Sequence, residues 1–383
     1  MTGLTANPNA ADRRTFIRRG ASWLMGGRLC ACVAPLLLPI ASSETELKRD
    51  VRFGVLGLFH PSEFALEQGG AKVLSVTSNR DPQTPAWPLN GEPGHRQLVF
   101  RAEGAKVIVG SNSANSWTVT ARDGGPVPFR LTVPGKLERV YFGRLTIFAR
   151  NSELLAVVTL DCETAVASIV AAEMNESTPT EALKAQAVAA RSFLAAGARH
   201  TDFDFCDTTH CQFLKSPPPI GSRVPQAVQE TRELVITYRD KPVAALYSSR
   251  CGGETRSLLD TGMEPGEGYP YYAVACAWCR QHPYIWRTRI GNAGAAPRPR
   301  NESQRIREAR QWGWSAIPGS DFHVAGDSAG WSLEGRSVGH GIGMCQHGAA
   351  GMASSGAEFR EILSHYYPNT SLGDNILGKT EVH

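Results

Sequence analysis

Two alanine-rich blocks in immediate succession set the strongest limit on how this chain folds: LDCETAVASIVAAEM at 160–174 and TPTEALKAQAVAARSFLAAG at 178–197. Apolar and small residues recur in both at helical spacing, and alanine lets a helix approach its neighbours closely. The first block reads as a helix of about three turns with Asp161 placed to cap it. In the second, Thr178 is the expected N-cap, Pro179 falls at the first helical position, and Glu181 completes a capping box. Leu183, Ala187, Ala190 and Leu194 then form one apolar face, and Gly197 ends the helix.

The sequence on either side has a different texture. From Asp50 to about Arg150, short runs such as VRFGVLGLF, AKVLSVTS, AKVIVG and RLTIFAR alternate with Gly, Pro, Asn and Asp, the pattern of β-strands and turns. This stretch carries no ligand cluster and reads as scaffold or partner surface. Beyond the helices, VPQAVQETREL reads as a helix, LVITYRD and PVAALYSS as a hairpin around Asp240 and Lys241, and 290–302 as a loop. SQRIREARQWG reads as a short amphipathic helix, and the C-terminal segment opens with glycines and closes with two helices. The expected class is α+β: a β-rich region at 50–150 followed by an α+β domain at 151–375.

With 383 residues, 42% of them hydrophobic, the chain can bury one large or two modest cores. The net charge of +4 arises in the first 42 residues, where Arg13, Arg14, Arg18, Arg19 and Arg28 are opposed only by Asp12; the remainder is balanced. No basic, aromatic-interleaved patch points to nucleic acid. Residues 1–43 have a basic start, an apolar middle and a small-residue exit, the layout of an export signal. Arg13 and Arg14 followed by Thr15, Phe16 and Ile17 give it a twin-arginine character. The expectation is export to the periplasm or cell envelope, with membrane contact only through an uncleaved signal or a lipid anchor at LCAC, 29–32.

Seven of the nine cysteines lie beyond this segment. His200, Cys206, His210 and Cys211 fall within one loop after the second helix, a donor set that suits tetrahedral Zn²⁺. The residues alone leave two readings, a zinc site or a Cys206–Cys211 disulfide. Cys276 and Cys279 form a CAWC pair without a thioredoxin-like context, so a disulfide from Cys251 to one of them is expected, with Cys162 as a buried helix residue.

The block VASIVAAEMNESTPTEALKAQAVAARSF resembles the hallmark stretch of the SpoIID/LytB family. SSRCGGETRS resembles the family's Ser-Thr-Cys-Gly-Gly-x-Thr element, and GHGIGMCQHGAAGMA followed by EILSHYYPNT is similar to its carboxy-terminal signature. The three matches stand in the family's order and span residues 154 to about 372. The resemblance implies a catalytic domain whose Ala-rich helices line a cleft, and a lytic transglycosylase acting on peptidoglycan glycan strands. It also implies a zinc held by two His and two Cys, although the interval near His210 departs from the family pattern. Cys345 and His347 depart too, standing where many relatives carry Ser and Tyr.

Carried over residue by residue, the resemblance makes Glu173 the catalytic acid and places Gln212, Ser249, His340 and Arg191 as substrate-binding candidates. A solvated helix-end glutamate is the plain alternative for Glu173. Its place at the C-terminal end of a helix nevertheless favours the protonated acid, because the helix dipole presents its negative end there. His340 could equally be structural, and Arg191 could pair with a buried carboxylate. Lys184 and Gln186 are expected to face solvent or a neighbouring loop. The implied partners are glycan strands and, from LytB-type relatives described as enhancers, a cell-wall amidase.

Overall fold

A computed structural model describes residues 50–374, except 80, 87–96, 209, 220, 262–267, 292–296, 298–304, 306, 309–310 and 314. The export-signal segment, most of the 290–302 loop and part of the helix expected after it lie outside the described residues; of that helix, Arg305, Arg307, Glu308, Gln311 and Trp312 are described and helical. The fold is α+β. No helix among the described residues is long and apolar enough to cross a membrane.

Every described strand from Asp50 to Asp161 belongs to one twelve-stranded sheet, completed by the two-residue strand Phe205–Cys206. The expected domain boundary at 150 falls in the tight turn between two paired strands, Leu137–Arg150 and Glu153–Asp161. The alternation is regular: Val127, Phe129, Leu131 and Val133 point inward along Val127–Val133, with half-buried residues between them.

The chain leaves the sheet directly into helix α1, Cys162–Glu173, whose Asp161 side chain accepts from the Thr164 N–H at 3.0 Å as the sequence suggested. Helix α2, Thr180–Ala195, follows. Here the expected capping box is absent. Pro179 holds the N-cap position without a side-chain bond, and its fixed φ and carbonyl start the helix by accepting from the Ala182 and Leu183 N–H groups. The Glu181 carboxylate is taken instead by the Lys184 ammonium and by the backbone N–H of Phe359.

Helix α2 is buried on both sides. Leu183, Ala187, Ala190 and Leu194 pack into the sheet core together with Val166, Ile169 and Val170 of α1. Ala182, Ala185, Val188 and Ala189 face a second core built from Ile236, Val243, Ile342, Met344, Ile362 and Tyr366. The single apolar face expected from the sequence is therefore half of the truth. Alanine on the second face permits the close approach, and a larger side chain there would cost about 1–3 kcal/mol in overpacking.

The second core is closed by α3, Arg223–Glu230, by the strand Leu234–Tyr238, and by three later helices: α4, Ala277–Gln281, α5, Gln346–Ser354, and α6, Phe359–Tyr366. Only Lys241–Pro242 of the expected second hairpin strand pairs with Leu234–Tyr238; its other neighbour is Ser371–Asp374. Tyr247–Ser248 instead runs parallel to Met344–Cys345. A small three-stranded sheet, Trp286–Ile290, Phe322–Asp327 and Gly330–Gly335, carries its own core of Trp286, Ile290, Ile317, Phe322 and Leu333.

One polar interaction lies inside this packing. Arg191 of α2, 0% exposed, donates through Nε and Nη2 to the Glu163 carboxylate at 2.8 and 2.7 Å, and through Nη1 to the Leu234 carbonyl at 3.1 Å. A bidentate pair of this kind fixes α1, α2 and the next strand in register. Arg191→Ala leaves the Glu163 charge uncompensated and should lower the unfolding free energy by about 3–5 kcal/mol in urea titration, whereas Arg191→Leu combined with Glu163→Leu should recover most of it.

Candidate functional site

Helix α1 ends at Glu173 because the chain turns extended at Met174, whose N–H still donates to the Val170 carbonyl. The last turn carries no basic residue. The Glu173 carboxylate thus sits at the negative end of the helix, half-buried, and burial raises its pKa above the usual carboxylate value. Three groups oppose that rise: the Gln346 side chain, the Phe213 backbone N–H and the nearby Lys215 ammonium. Gln346 opens α5; its Nε2 donates at 3.3 Å both to Glu173 Oε2 and to Gln186 Oε1. A buried amide therefore tethers the acid to α2. Gln186 is itself fully buried against Gln346 of α5, not facing solvent or a neighbouring loop as expected, and Lys184 is held between Glu181 and Glu230.

Glu173 opens into a cleft of about 600 Å³, with Gln212, Tyr247, Ser249, His340 and Gln346 among its walls. The Tyr247 hydroxyl donates to Gln212 Oε1 at 3.0 Å, and Gln212 Nε2 donates to the Ala190 carbonyl at 3.1 Å. Both ends of the Gln212 amide are thus engaged by protein, and the residue orients Tyr247. Burial, then the neighbouring Glu173 charge, lifts the Tyr247 pKa well above its ordinary value, so its hydroxyl keeps its proton.

The opposite wall is the glycine turn 339–343. Gly343 has a positive φ, and a Cβ there would lie 2.0 Å from the Leu246 carbonyl oxygen, so only glycine lets this turn press against Ala245–Ser249. His340 lies on that turn, and its Nδ1 accepts from the Ile342 N–H at 3.0 Å. Ser249 lines the same cleft, half-buried, while its carbonyl accepts from the His347 N–H.

Arg191 does not belong to this site. Its burial and its pairing with Glu163 exclude contact with a bound molecule, which corrects its reading as a substrate-binding residue. Its partner, 28 residues earlier, could not be picked from several acidic residues in the sequence. Sequence reasoning also missed Gln346 and Tyr247. Their contacts to Glu173 and Gln212 span 173 and 35 residues, and neither has a local signature.

At one side of the cleft, which His210 and Cys211 help to line, His200, Cys206, His210 and Cys211 converge, their ligand atoms all within 4.8 Å of one another. His200 Nε2 is 3.3 Å from Cys211 Sγ, and His210 Nδ1 lies 3.5 Å from Cys211 Sγ and 3.7 Å from Cys206 Sγ. The large sheet places this loop: Cys206 pairs with Gly54 in a parallel bridge, and a Cβ on Gly54 would strike the Phe203 ring at 2.5 Å. Phe203 in turn packs on the His200 ring. Two imidazoles and two thiols at these separations fit a tetrahedral soft-metal ion and fill all four positions. Beside them Asp207 is buried, receiving the Tyr141 hydroxyl at 2.7 Å and Arg139 at 3.1 Å.

The family model described as Stage II sporulation protein, SpoIID, matches residues 150–238, the segment that holds α1, α2 and the His/Cys quartet. Over these residues the chain is similar to the SpoIID family. An uncharacterized protein of Brachyspira hyodysenteriae is 29% identical over 269 residues, covering 61% of this chain and 72% of that protein. Stage II sporulation protein D of Bacillus amyloliquefaciens is 26% identical over 278 residues, covering 58% of this chain and 78% of that protein. The amidase enhancer of Bacillus subtilis is 43% identical over 49 residues, which are 13% of this chain and 7% of that protein.

The electrostatics of the cleft give a signed prediction. A carboxyl whose folded pKa is raised contributes stability below its unfolded pKa and loses that contribution as pH rises through the folded value. Glu173→Gln, neutral throughout, should therefore gain thermal stability relative to the unmodified chain on moving from acidic to neutral pH. Gln346→Leu removes a donor that favours the carboxylate. In that variant the Glu173 carboxyl, followed by carbon-13 NMR, should titrate at higher pH than in the unmodified chain.

Proposed function

We propose that this protein is a lytic transglycosylase that cleaves the bond between N-acetylmuramic acid and N-acetylglucosamine in peptidoglycan, leaving a 1,6-anhydro end. The family and the amidase-enhancer match support a role in the cell wall. The observation that carries the finer reading is the cleft itself: among its described lining residues Glu173 is the only carboxylate. Hydrolysis by the common glycosidase routes needs a second carboxylate, as nucleophile or as base for water.

A single acid suffices when the substrate supplies its own nucleophile. Protonated Glu173 gives its proton to the leaving glycosidic oxygen as the bond to the anomeric carbon breaks. The resulting carboxylate then takes the proton of the muramic acid C6 hydroxyl as that oxygen closes onto the anomeric carbon, so the enzyme ends as it began and no water is consumed. Burial supplies the protonated form, and the Gln346 amide favours the charged form that follows. The Tyr247 hydroxyl, His340 and Ser249 line the space where sugar hydroxyls would be held.

In the same reading the His/Cys quartet holds a structural zinc. Four protein donors leave no position for an activated water, so the ion's contribution is to brace the loop that carries Gln212 and Phe213. Export to the cell envelope through residues 1–43 completes the proposal.

The amidase-enhancer match supports a second reading, a glycan-binding modulator of a wall amidase. Digestion of purified sacculi followed by mass spectrometry separates the two. The unmodified protein should release anhydro-muropeptides, and Glu173→Gln should lose that release by about 10²–10⁴-fold while still sedimenting with sacculi. Absence of anhydro products from the unmodified protein on both intact and denuded glycan would sink the enzyme reading.

A further inference from the structure

The second set of cysteines does not pair as the sequence suggested. No disulfide joins Cys251 to Cys276 or Cys279; Cys345 joins them, and the four sulfurs all lie within 4.8 Å of one another. We propose that Cys251, Cys276, Cys279 and Cys345 form a second metal centre, all-sulfur and structural, that takes one zinc ion.

Geometry carries this first. Zinc–thiolate bonds of about 2.3 Å arranged as a tetrahedron put the sulfurs about 3.8 Å apart, whereas a disulfide needs about 2.05 Å. Cys279 Sγ and Cys345 Sγ are 3.6 Å apart. Two disulfides would select two partnerships, but here each sulfur has three close neighbours, and the four together come from three separate chain segments. All four residues are buried, at 7%, 1%, 4% and 0% exposure in chain order. Four thiols gathered away from water satisfy one another poorly; a divalent soft ion satisfies them all, with the thiol protons released to solvent.

The surroundings are built for it. The Cys276 N–H donates to the Gly253 carbonyl at 3.0 Å, which sets the CGG turn against the CAWC turn. Helix α5 begins at the cluster, and the Gly348 N–H donates to Cys345 Sγ at 3.4 Å, the arrangement in which a helix start favours a thiolate. The Tyr366 hydroxyl is 3.4 Å from Cys276 Sγ. A Cβ at Gly348 would fall 2.6 Å from Cys276 Sγ and 1.9 Å from that hydroxyl oxygen, so the helix is seated directly on the sulfurs.

The position gives the centre a purpose. Cys251 follows the strand Tyr247–Ser248, and Cys345 ends the strand paired with it and precedes Gln346. One ion would clamp both strands of this short parallel ladder, and with them the cleft wall that holds Gln346 on Glu173.

Metal analysis of the full-length protein, purified without added reductant, tests the proposal. Cys279→Ser and Cys345→Ser should each lower bound zinc by one equivalent per chain, independently of His200→Ala, which addresses the other quartet. In the His200→Ala background, cobalt substituted for zinc should show the intense sulfur-to-metal absorption of a tetrathiolate site. Should the serine variants fold poorly, thiol counting on the unmodified chain, denatured with chelator and without reductant, remains decisive: all four cysteines should alkylate. A count lower by two or four, or zinc content unchanged in a folded Cys279→Ser protein, would overturn the proposal. Iron in place of zinc in the native protein would overturn the choice of metal.

Discussion

The structure depends on a helix that has no outside. Helix α2 presents alanines and two leucines to the sheet core on one side and alanines and a valine to the C-terminal core on the other. Two hydrophobic assemblies built from opposite ends of the chain share it as their common wall. Small side chains let both come close, and the few polar groups it carries must then be satisfied inside the protein. Arg191 meets that demand through Glu163 and two carbonyls, Ser192 through the Val188 carbonyl and the Ile236 N–H, and Gln186 Oε1 through Gln346. These buried contacts hold α1 and α5 against α2, and the acid at the end of α1 is placed as a result.

Helix α1, the start of the C-terminal helices and the strand-rich region were legible because each rests on local pattern. Asp161 caps what it was expected to cap, and Glu173 stands where the apolar period stops. The errors have physical causes. Thr178 and Glu181 spelled a capping box, but Pro179 takes the cap position and the Phe359 N–H competes for Glu181 from 178 residues away. Arg191 matched a family motif yet turned out to serve the interior, since a motif position does not reveal which way a side chain points. The short parallel ladder Tyr247–Ser248 with Met344–Cys345, and the fourth cysteine it delivers, rest on pairings that no local window contains.

The cleft shows how a carboxyl can be tuned without a charged partner at its side. Burial and the helix end favour the proton, while a neutral amide and one peptide N–H moderate the shift. Neutral donors favour the carboxylate less strongly than a direct arginine pair would. Lys215 contributes only as a weaker, nearby charge.

The span of the Gln346 contact has a consequence for how the protein is made. The acid and the helix that carries it emerge from the ribosome early, while the amide that completes their environment arrives 173 residues later. Until that amide docks, the Glu173 carboxylate lacks its Gln346 donor. The finished cleft therefore marks the arrival of the segment that carries Gln346.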